Sequence, residues 1–481
     1  MSDPIGEKAH VAQALRYIAD ESERFLAALD RRPVRMPNVT SALAAIPSAM
    51  PEDGVGTMAA LDELVRASDA ALGSAGPRFF HWVTGGGTPA ALAADWYTSA
   101  IDQNAFAPDS SPLGARLEDL AIEWLKDLFG LPQSWSGVLT TGATMANFVG
   151  LAAARRSWAQ RHGIDVDEAG FAGLPAVPVF SSGYIHPSAT KALAMLGIGR
   201  GRVRQLVRDP AGRLDVDTLE DALRALGGTP SIVVANAGEV NAGDFDPIDR
   251  MADLAERYGA WLHVDGAFGL FAAVSPRTRG LVAGIERAHS VISDGHKWLN
   301  VPYDSGFAFV RDASLLRSAF GLAAAYLPTA GTIYGAMGPE SSRRARSLAV
   351  WATLRAYGRN GYREMVERHL DLAQRVARRV DEAPDLERLA DVPLNIVCFR
   401  FRPPGVDERA LDELNDRLGK AILADGRVYV GTTRYTGKAA FRPAIVNWRT
   451  TEADVDLMVD VVRELGAQLV AASVSATRAG R

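Results

Sequence analysis

The feature that most constrains the fold of this chain is an alternation of short apolar runs with helical patterns between about residues 86 and 365. Runs typical of buried strands occupy residues 232–235, 261–264, 291–293 and 307–310. Strands separated by helices favour parallel pairing, because each crossover places a helix on one face of the sheet. We therefore predict an α/β domain with a largely parallel sheet and helices on both faces.

Two further regions flank this domain. Residues 1–85 carry amphipathic helical patterns and a proline-bearing break. Such an arm buries little by itself, so we expect it to pack on another subunit. Residues 366–481 combine short strand patterns with helices and predict a small α+β C-terminal domain. A length of 481 residues agrees with several domains, since it exceeds the usual size of one core.

Composition excludes several classes of protein. A net charge of −5 argues against a general nucleic-acid surface. The single cysteine, Cys398, excludes an internal disulfide framework and a cysteine-based metal site. No run approaches the roughly 20 apolar residues of a membrane span, and the N-terminus lacks a signal pattern. We therefore expect no membrane or nucleic-acid partner and a cytoplasmic location.

Lys297 stands in an apolar setting, between His296 and Trp298 and just after the strand pattern at 291–293. Burial disfavours an ammonium and frees the amine to attack carbonyl groups. This pattern indicates a lysine that forms a Schiff base. The alternative is an ordinary lysine at the end of a strand, with its charge in water.

Asp265 ends the preceding strand pattern, about one strand–helix–strand unit before Lys297. Open α/β sheets present ligand-binding groups at the carboxyl ends of their strands. The two residues can therefore offer a carboxylate and an amine to one ligand. Pyridoxal phosphate (PLP) needs this pair, because a lysine holds its aldehyde and a carboxylate keeps its pyridine nitrogen protonated.

A candidate phosphate cradle precedes a helical pattern at residues 140–147, with Gly142, Ala143 and Thr144 at its centre. Small residues at a helix N-terminus leave backbone N–H groups free for an anion. An ordinary helix cap made by Thr141 or Thr144 explains the same residues. His186 ends a turn before another helical pattern, where a flat imidazole can stack on a pyridine ring.

These motifs together resemble the group II PLP-dependent amino-acid decarboxylases, the family of aromatic L-amino-acid, histidine and glutamate decarboxylases. The matching segments follow the family order along nearly the whole chain: residues 77–80, 88–90, 102–106, 140–147, 186, 245–247, 263–265, 296–298 and 442–450. The resemblance implies PLP fold type I, with a mostly parallel seven-stranded sheet, an N-terminal helical arm (1–85), a large α/β domain (86–365) and a small C-terminal domain (366–481).

The resemblance also implies roles for individual residues. It makes Lys297 the Schiff-base lysine and Asp265 the partner of the pyridine nitrogen. His186 stacks on the ring face opposite Ala267, and His296 touches the phosphate or the substrate carboxylate. The implied cofactor-binding set is Gly142, Ala143, Thr144, His186, Asp265, Ala267, His296 and Lys297.

A long glycine- and proline-bearing stretch at residues 326–340 is typical of a mobile loop. In the resembling decarboxylases a loop here reaches the active site of the neighbouring subunit and carries a tyrosine. Counting back from Arg343 places Tyr334 at that position. The implied role of Tyr334 is to protonate the α-carbon after carbon dioxide leaves, in a homodimer with active sites at the subunit interface.

The sequence departs from the animal aromatic decarboxylases at Val240, where a hydroxyl near the phenolic oxygen of the ring is expected. Asn236 and Asn241 are the candidates to replace that contact. The substrate pocket implied by alignment comprises Phe80, His81, Trp82, Asn104 and Phe106. Its aromatic residues favour an aromatic or bulky apolar L-amino acid, whereas His81, Gln103 and Asn104 equally suit a polar or acidic side chain.

The predicted function is a PLP-dependent carboxy-lyase that converts an amino acid to its amine and carbon dioxide. An aldehyde synthase or a carbon–carbon lyase of the same family is the main alternative. A metal-dependent hydrolase is a second alternative, but it leaves Lys297 and the cradle unexplained. Its ligands would come from His263, Asp265, His289, Asp294 and His296. A noncatalytic scaffold is a third, although it has no need of these polar groups.

Overall fold

A computed structural model describes residues 4–321 and 331–479. The first helices are α1 (Val11–Ala28), α2 (Val39–Ala44) and α3 (Thr57–Ala67). None of the three contains a buried residue. They lead into a short strand, β1 (Phe79–Phe80), where the chain enters the interior. These helices leave apolar side chains such as Leu15 and Leu64 exposed, and the division of the chain at residue 85 stays a prediction.

A seven-stranded sheet forms the centre of the molecule. Its strands are β2 (Ser136–Thr140), β3 (Val179–Ser181), β4 (Val203–Gln205), β5 (Ile232–Asn236), β6 (Trp261–Asp265), β7 (Ser290–Asp294) and β8 (Gly306–Val310). The spatial order is β2-β8-β7-β6-β5-β3-β4. The five neighbouring strands β7, β6, β5, β3 and β4 pair in parallel. Strand β8 runs antiparallel to its neighbours β2 and β7. The predicted mostly parallel sheet is confirmed.

Helices cover the sheet and connect its strands. They are α4 (Pro89–Ile101), α5 (Pro112–Phe129), α6 (Ala143–Arg161), α7 (Val166–Ala169), α8 (Pro187–Met195), α9 (Val216–Ala225), α10 (Ile248–Tyr258) and α11 (Ala313–Phe320). Every residue of β5, β6 and β7 is buried. Their continuous apolar pattern follows from this burial on both faces.

The C-terminal part is a second, smaller layer. Helix α12 (Ser347–Glu382) runs from the large domain into it, with a kink at Gly358. A four-stranded antiparallel sheet follows in the order β12-β13-β10-β9, and α13 (Glu408–Asp425) and α14 (Glu452–Ala479) belong to the same part. Its strands are β9 (Leu386–Arg388), β10 (Phe399–Phe401), β12 (Thr432–Tyr435) and β13 (Lys438–Phe441).

One predicted strand of this region, at residues 428–432, is divided in two. Its first half is β11 (Tyr429–Val430), which pairs in parallel with β1. The division falls at Gly431, where an added Cβ would lie 2.1 Å from Nδ1 of His81. The absence of a Cβ at Gly431, between the two strands, therefore leaves room for the His81 ring.

The parallel register brings three strand ends together. Asn236 on β5 lies opposite Asp265 on β6, which in turn lies opposite Ile292 on β7. Asp294 and the segment that carries Lys297 follow directly on β7. The carboxyl edge of β5, β6 and β7 therefore presents their polar residues side by side, as open α/β sheets do at ligand sites. In the described part of the chain, no helix combines the length and apolar character needed to cross a bilayer.

Candidate active site

A cavity of about 390 Å³ opens at this carboxyl edge. It lies between the edge of the sheet, the N-terminus of α6, the turn before α8 and Arg442, which follows β13 in the C-terminal layer. Its lining includes residues predicted as cofactor ligands: Gly142, Ala143, Thr144, His186, Asp265, Ala267, His296 and Lys297. The structure therefore brings the whole predicted cofactor-binding set to one cavity.

Lys297 extends its amine into this cavity. Its Nζ lies 3.1 Å from Oδ2 of Asp294, and only 16% of the side chain is exposed. The ring of Phe268 lies beside it, with its centroid 5.9 Å from Nζ. The amine is therefore held by one carboxylate and bordered by an aromatic face.

Asp294 joins this lysine to the helix terminus. Its Oδ1 accepts a hydrogen bond from the backbone N–H of Ala143 at 2.5 Å. Gly142, the residue before α6, makes no side-chain cap. A carboxylate oxygen thus occupies the position where the dipole of α6 favours an anion. This supports the reading of 142–144 as an anion cradle rather than as an ordinary capped helix start.

Asp265 is 6% exposed and faces the cavity from the end of β6. Its Oδ2 accepts a hydrogen bond from Nδ2 of Asn147 at 2.9 Å. Its Oδ1 accepts one from the backbone N–H of Ala267 at 3.2 Å. Two donors on separate elements therefore orient this carboxylate.

His186 and His296 line the cavity as neutral imidazoles. Desolvation by the surrounding protein lowers the pKa of each, although the charges of Asp265 and Asp294 oppose this effect. Nδ1 of His296 donates to the carbonyl oxygen of Ser305 at 3.2 Å. Its ring stacks on Tyr303, with 4.2 Å between the centroids. Both histidines are thus fixed in orientation by neighbouring groups.

The wall on the other side carries a buried guanidinium. Arg442 is 9% exposed, and its Nη1 donates to the carbonyl oxygen of Val240 at 3.3 Å. Burial lowers its pKa, while the nearby Glu239 carboxylate favours its charge. Arg442 makes no ion pair within 4 Å among the described residues. A carboxylate of a ligand would meet an available cation here.

The structure separates the two asparagines that are candidates to replace a hydroxyl at Val240. Val240 and Asn236 both line the cavity, whereas Asn241 does not. The Asn241 side chain is held by Glu239 and Thr433, each at 2.5 Å. Asn236 therefore lies at the lining, next to Asp265 in register, although its Nδ2 donates to Oδ2 of Asp246 at 3.0 Å.

The predicted substrate residues are divided by the structure. Trp82 lines the cavity and is 61% exposed. His81 lies behind it with its ring against Tyr429, and burial lowers its pKa to about 4. Phe80 packs in the core of the C-terminal layer instead. Within this chain, Trp82 thus reaches the cavity wall, whereas Phe80 does not, because β1 turns that side chain inward; the substrate assignment stays a prediction.

Asn104 and Phe106 lie away from the lining in this chain. Oδ1 of Asn104 accepts a hydrogen bond from the backbone N–H of Arg343 at 3.1 Å. The ring of Phe106 fills the space beside Gly335, where a Cβ would lie 2.0 Å from it. The two residues hold the segment after residue 331 against the large domain.

Tyr334 belongs to the same segment. It is 3% exposed, and its hydroxyl donates to Oδ1 of Asp119 at 2.6 Å. The guanidinium of Arg343 lies 5.5 Å from its ring centroid. Burial, with the nearby Glu118 and Asp119 charges, raises the pKa of Tyr334. The hydroxyl therefore has a partner in its own chain, and its predicted role as a proton donor stays a prediction. Residues 326–330 of the predicted loop lie outside the described residues.

The residues of the metal-site alternative are not gathered into one cluster. His289 accepts the backbone N–H of Leu262 and lines a separate cleft. His263 is fully buried and bonds to Asn147 and Ser290. Across the described ranges, no group of three or more potential metal ligands occurs.

Sequence reasoning missed three contributors to the site. The sequence pattern gives Asp294 a role only as a metal ligand, gives none to Tyr303, and includes Asn147 in the cradle at 140–147 without a role of its own. A polar residue inside an apolar helix pattern was the available signal for Asn147. For the contact of Asp294 with Lys297, the only signal in the sequence was that the two residues are three positions apart.

An amine, a carboxylate and an anion-binding helix terminus in one cavity fit the aldehyde, the pyridine nitrogen and the phosphate of PLP. Residues 68–402 match the pyridoxal-dependent decarboxylase conserved domain. The aromatic-L-amino-acid decarboxylase of Bacillus atrophaeus is 30% identical over 409 residues, covering 83% of this chain and 82% of that protein.

Two other similarities agree with this match. The acidic amino acid decarboxylase of Mus musculus is 29% identical over 409 residues, covering 81% of this chain and 74% of that protein. The crystal structure of Oryza sativa TDC with PLP and tryptamine superposes with a TM-score of 0.87 at 26% identity, covering 96% of this chain and 98% of that one. The chain therefore belongs to the group II family of PLP-dependent amino-acid decarboxylases.

Proposed function

We propose that this decarboxylase acts on an aromatic or bulky apolar L-amino acid in the cavity at the carboxyl edge of the sheet, with Lys297 as the residue that binds the cofactor covalently. The observation that carries the proposal is the convergence of Lys297, Asp265 and the N-terminus of α6 on that cavity. When bound, PLP supplies an electron sink for the pair of electrons that the departing carboxylate leaves behind.

The chain's own groups have distinct tasks in this proposal. Asp294 holds the Lys297 amine at 3.1 Å and so orients it towards the cavity. Asp265, fixed by two donors, is the acceptor for the pyridine nitrogen. Gly142, Ala143 and Thr144 are assigned to the phosphate, which would take the place that Asp294 holds on the Ala143 N–H.

His186 is assigned to the ring face and can also donate a proton. Its Nδ1 accepts the backbone N–H of Ser188, so the proton of the neutral imidazole resides on Nε2. His296 spends its Nδ1 proton on Ser305 and is stacked on Tyr303. We assign His186 to the face of the cofactor ring and His296 to contact with the phosphate or the substrate carboxylate.

The preference for an aromatic or apolar substrate is supported by the lining. Trp82, Val240, Phe268 and Tyr303 form apolar or aromatic parts of the wall. Such a wall gains stabilisation from an apolar side chain and none from a charged one. Arg442 is then the partner of the α-carboxylate.

An acidic substrate is the second candidate, and Arg442 is the observation that favours it. A guanidinium without an ion pair at the cavity wall can equally pair with a side-chain carboxylate. One relative is named for aromatic and another for acidic amino acids. Arg442 cannot serve both carboxylates of an acidic amino acid in the same pose, so the substrate class follows from which one it binds.

A spectrum of the purified protein with PLP, followed by borohydride reduction and peptide mapping, tests the lysine assignment. We expect an imine band and a reduced label on Lys297. The absence of the band, or a label elsewhere, contradicts the proposal. The variant K297A should lose both signals, while K191A, at a lysine outside the cavity, serves as the matched control.

A panel of L-amino acids, monitored for carbon dioxide, ammonia and peroxide, tests the substrate class. We expect carbon dioxide and amine from aromatic or bulky apolar amino acids. Turnover confined to acidic amino acids would establish the second candidate. Ammonia and peroxide in equal amounts with carbon dioxide would instead indicate the aldehyde synthase.

We also propose a homodimer, with the arm packed on the partner subunit. Leu15 and Leu64 are 62% and 64% exposed, and α1 and α3 bury no residue within the chain. Amphipathic helices with an uncovered apolar face gain stability by covering it. Sedimentation of the full chain over a range of concentrations should give a dimer, and a monomer at high concentration would contradict this.

A further inference from the structure

A chain of buried hydrogen bonds leads from β6 and β7 to the Asp265 carboxylate. Trp261 Nε1 donates to Ser290 Oγ at 3.0 Å, and Ser290 Oγ lies 2.8 Å from His263 Nδ1. His263 Nε2 lies 2.8 Å from Asn147 Oδ1, and Asn147 Nδ2 donates to Asp265 Oδ2 at 2.9 Å. Asn147, His263 and Ser290 are each 0% exposed. Asp265, which lines the cavity, is thus supported through hydrogen bonds by residues that do not line it.

The position of each proton follows from the chemistry of the groups. An ionised carboxylate only accepts, so Asn147 turns its amide nitrogen to Asp265 and its oxygen to His263. His263 Nε2 must therefore carry a proton. Burial lowers the pKa of His263 to about 4, so the ring is neutral near pH 7 and Nδ1 accepts from the Ser290 hydroxyl.

All donors in this series of hydrogen bonds therefore point the same way, from Trp261 towards Asp265. The indole N–H of Trp261 can only donate, so it fills one acceptor position on Ser290. Aligned hydrogen bonds in a low-dielectric interior polarise and strengthen one another. A flipped Asn147 amide would face the Asp265 carboxylate with its oxygen and lose this alignment.

A second branch runs from Asn147 to His186. Asn147 Nδ2 also donates to Ser188 Oγ at 3.2 Å, and that hydroxyl lies 2.7 Å from His186 Nδ1. Because Nδ1 accepts the backbone N–H of Ser188, the Ser188 hydroxyl donates to it as well. One amide group thus joins the carboxylate and the imidazole that the cavity presents.

Helix α6 makes room for this arrangement at Gly150. A Cβ there would lie 2.8 Å from Cε1 and 3.0 Å from Nδ1 of His263. Glycine is unfavourable in a helix interior, where alanine is preferred. The close approach of α6 to the His263 ring explains why a glycine stands at this position.

We propose that Asn147 is a positioning residue for the decarboxylase reaction, supported by His263. Its amide holds the Asp265 carboxylate as an acceptor facing the cavity and keeps His186 in orientation through Ser188. The proposal rests on the proposed function, in which Asp265 binds the pyridine nitrogen of PLP. Asn147 and His263 line no part of the cavity, so they act through Asp265 and His186 rather than on the substrate.

The variant N147L in the full-length enzyme is the first test, because leucine matches asparagine in shape and removes its hydrogen bonds. Titration of the apoprotein with PLP should show a dissociation constant raised about tenfold to a hundredfold, as expected for the loss of a hydrogen bond to a charged group. The circular dichroism of the bound-cofactor band should weaken, and kcat should fall more than KM rises.

V149A is the matched control, since Val149 is 0% exposed on the same helix and carries no polar group. We expect V149A to lower the melting temperature while its PLP dissociation constant and dichroism stay at wild-type values. Equal dissociation constants and dichroism in N147L and wild type would overturn the proposal.

A second pair of variants keeps the test decisive if N147L does not fold. H263Q presents an N–H near the position of Nε2, whereas H263L presents none. We expect H263Q to retain cofactor affinity close to wild type and H263L to lose about tenfold. Equal affinity in the two would overturn the role of His263. A wild-type protein that lacks the imine band and the Lys297 label would instead contradict the proposed function.

Discussion

The carboxyl edge of the sheet and the N-terminal arm differ in whether their side chains find partners within the chain. At the edge, the buried polar groups Asp265, Asn147 and His263 find their hydrogen-bond partners within the chain. In the arm, α1 and α3 bury no residue, and Leu15 and Leu64 are more than half exposed. One chain thus completes the polar network of its site but leaves apolar surface of its arm uncovered.

The difference reflects the costs of the two kinds of burial. A buried polar group without a partner costs free energy at once, so its partners must be in place when the domain folds. Apolar surface in water is tolerated and can be covered later by association. The arm is joined to the C-terminal layer through the backbone N–H of Val34, which donates to the carbonyl oxygen of Gly426 at 2.7 Å, and its Leu29 is buried.

The largest expected effect is at the site edge, in D265N. An amide in place of the carboxylate keeps the shape but removes the charge that pairs with the cofactor nitrogen. We expect kcat/KM to fall by roughly 10²- to 10³-fold, the range for one electrostatic contact in an active site. The oligomeric state should not change. Activity within a factor of two of wild type would remove Asp265 from its assigned role.

The arm provides the next largest effect, in the double variant L15D/L64D. Charges on two apolar side chains that a partner covers should weaken association by about 3 kcal/mol or more. Analytical ultracentrifugation should show monomer at concentrations where wild type is dimeric. The monomer should still show the imine band, because the polar groups at the carboxyl edge of the sheet find their partners within one chain. A dimer of unchanged affinity would place the interface elsewhere.

Acid stability should be governed by the interior histidines rather than the arm. His369 accepts the indole N–H of Trp298 at Nδ1 and donates from Nε2 to the Asn447 carbonyl oxygen. Burial lowers its pKa from 6.5 to about 3. The unfolded chain therefore binds a proton below pH 6.5 that the folded chain does not, so the free energy of unfolding falls as the pH drops through this window.

The variant H369Q isolates this contribution. Below pH 6.5 and above about 3, its free energy of unfolding should depend on pH less steeply than wild type by about 1.4 kcal/mol per pH unit. The buried Asp246, whose pKa is raised to about 6, acts in the opposite direction but equally in both proteins. Parallel pH profiles in urea denaturation would show that His369 is protonated in the folded state.

The smallest expected effect is that of Y334F. Loss of the hydrogen bond to Asp119 should lower the free energy of unfolding by about 1 kcal/mol. Because this hydroxyl is bound to Asp119 in its own chain, we expect the ratio of amine to aldehyde to stay unchanged unless Tyr334 reaches the cavity of the partner subunit. A shift towards aldehyde would support the role of proton donor that the sequence predicts for Tyr334.

Much of the fold and the centre of the site were predictable from local patterns. Alternating apolar runs and helices are read within a few residues, and they predicted the parallel sheet. Lys297 and Asp265 were found because strand ends mark the edge where ligands bind. The cradle at 142–144 was found because small residues before a helix mark an anion site.

The tertiary structure decided what depends on contacts between distant segments. Asn147 and His263 are 116 positions apart, and nothing in either local pattern predicts their hydrogen bond. Packing places the Phe80 side chain in the core. It also places Asn236, and not Asn241, at the lining of the cavity. Asp294 contacts both Lys297 and the N-terminus of α6. Periodicity determines which faces are buried, whereas side-chain partners are selected only when the segments pack together.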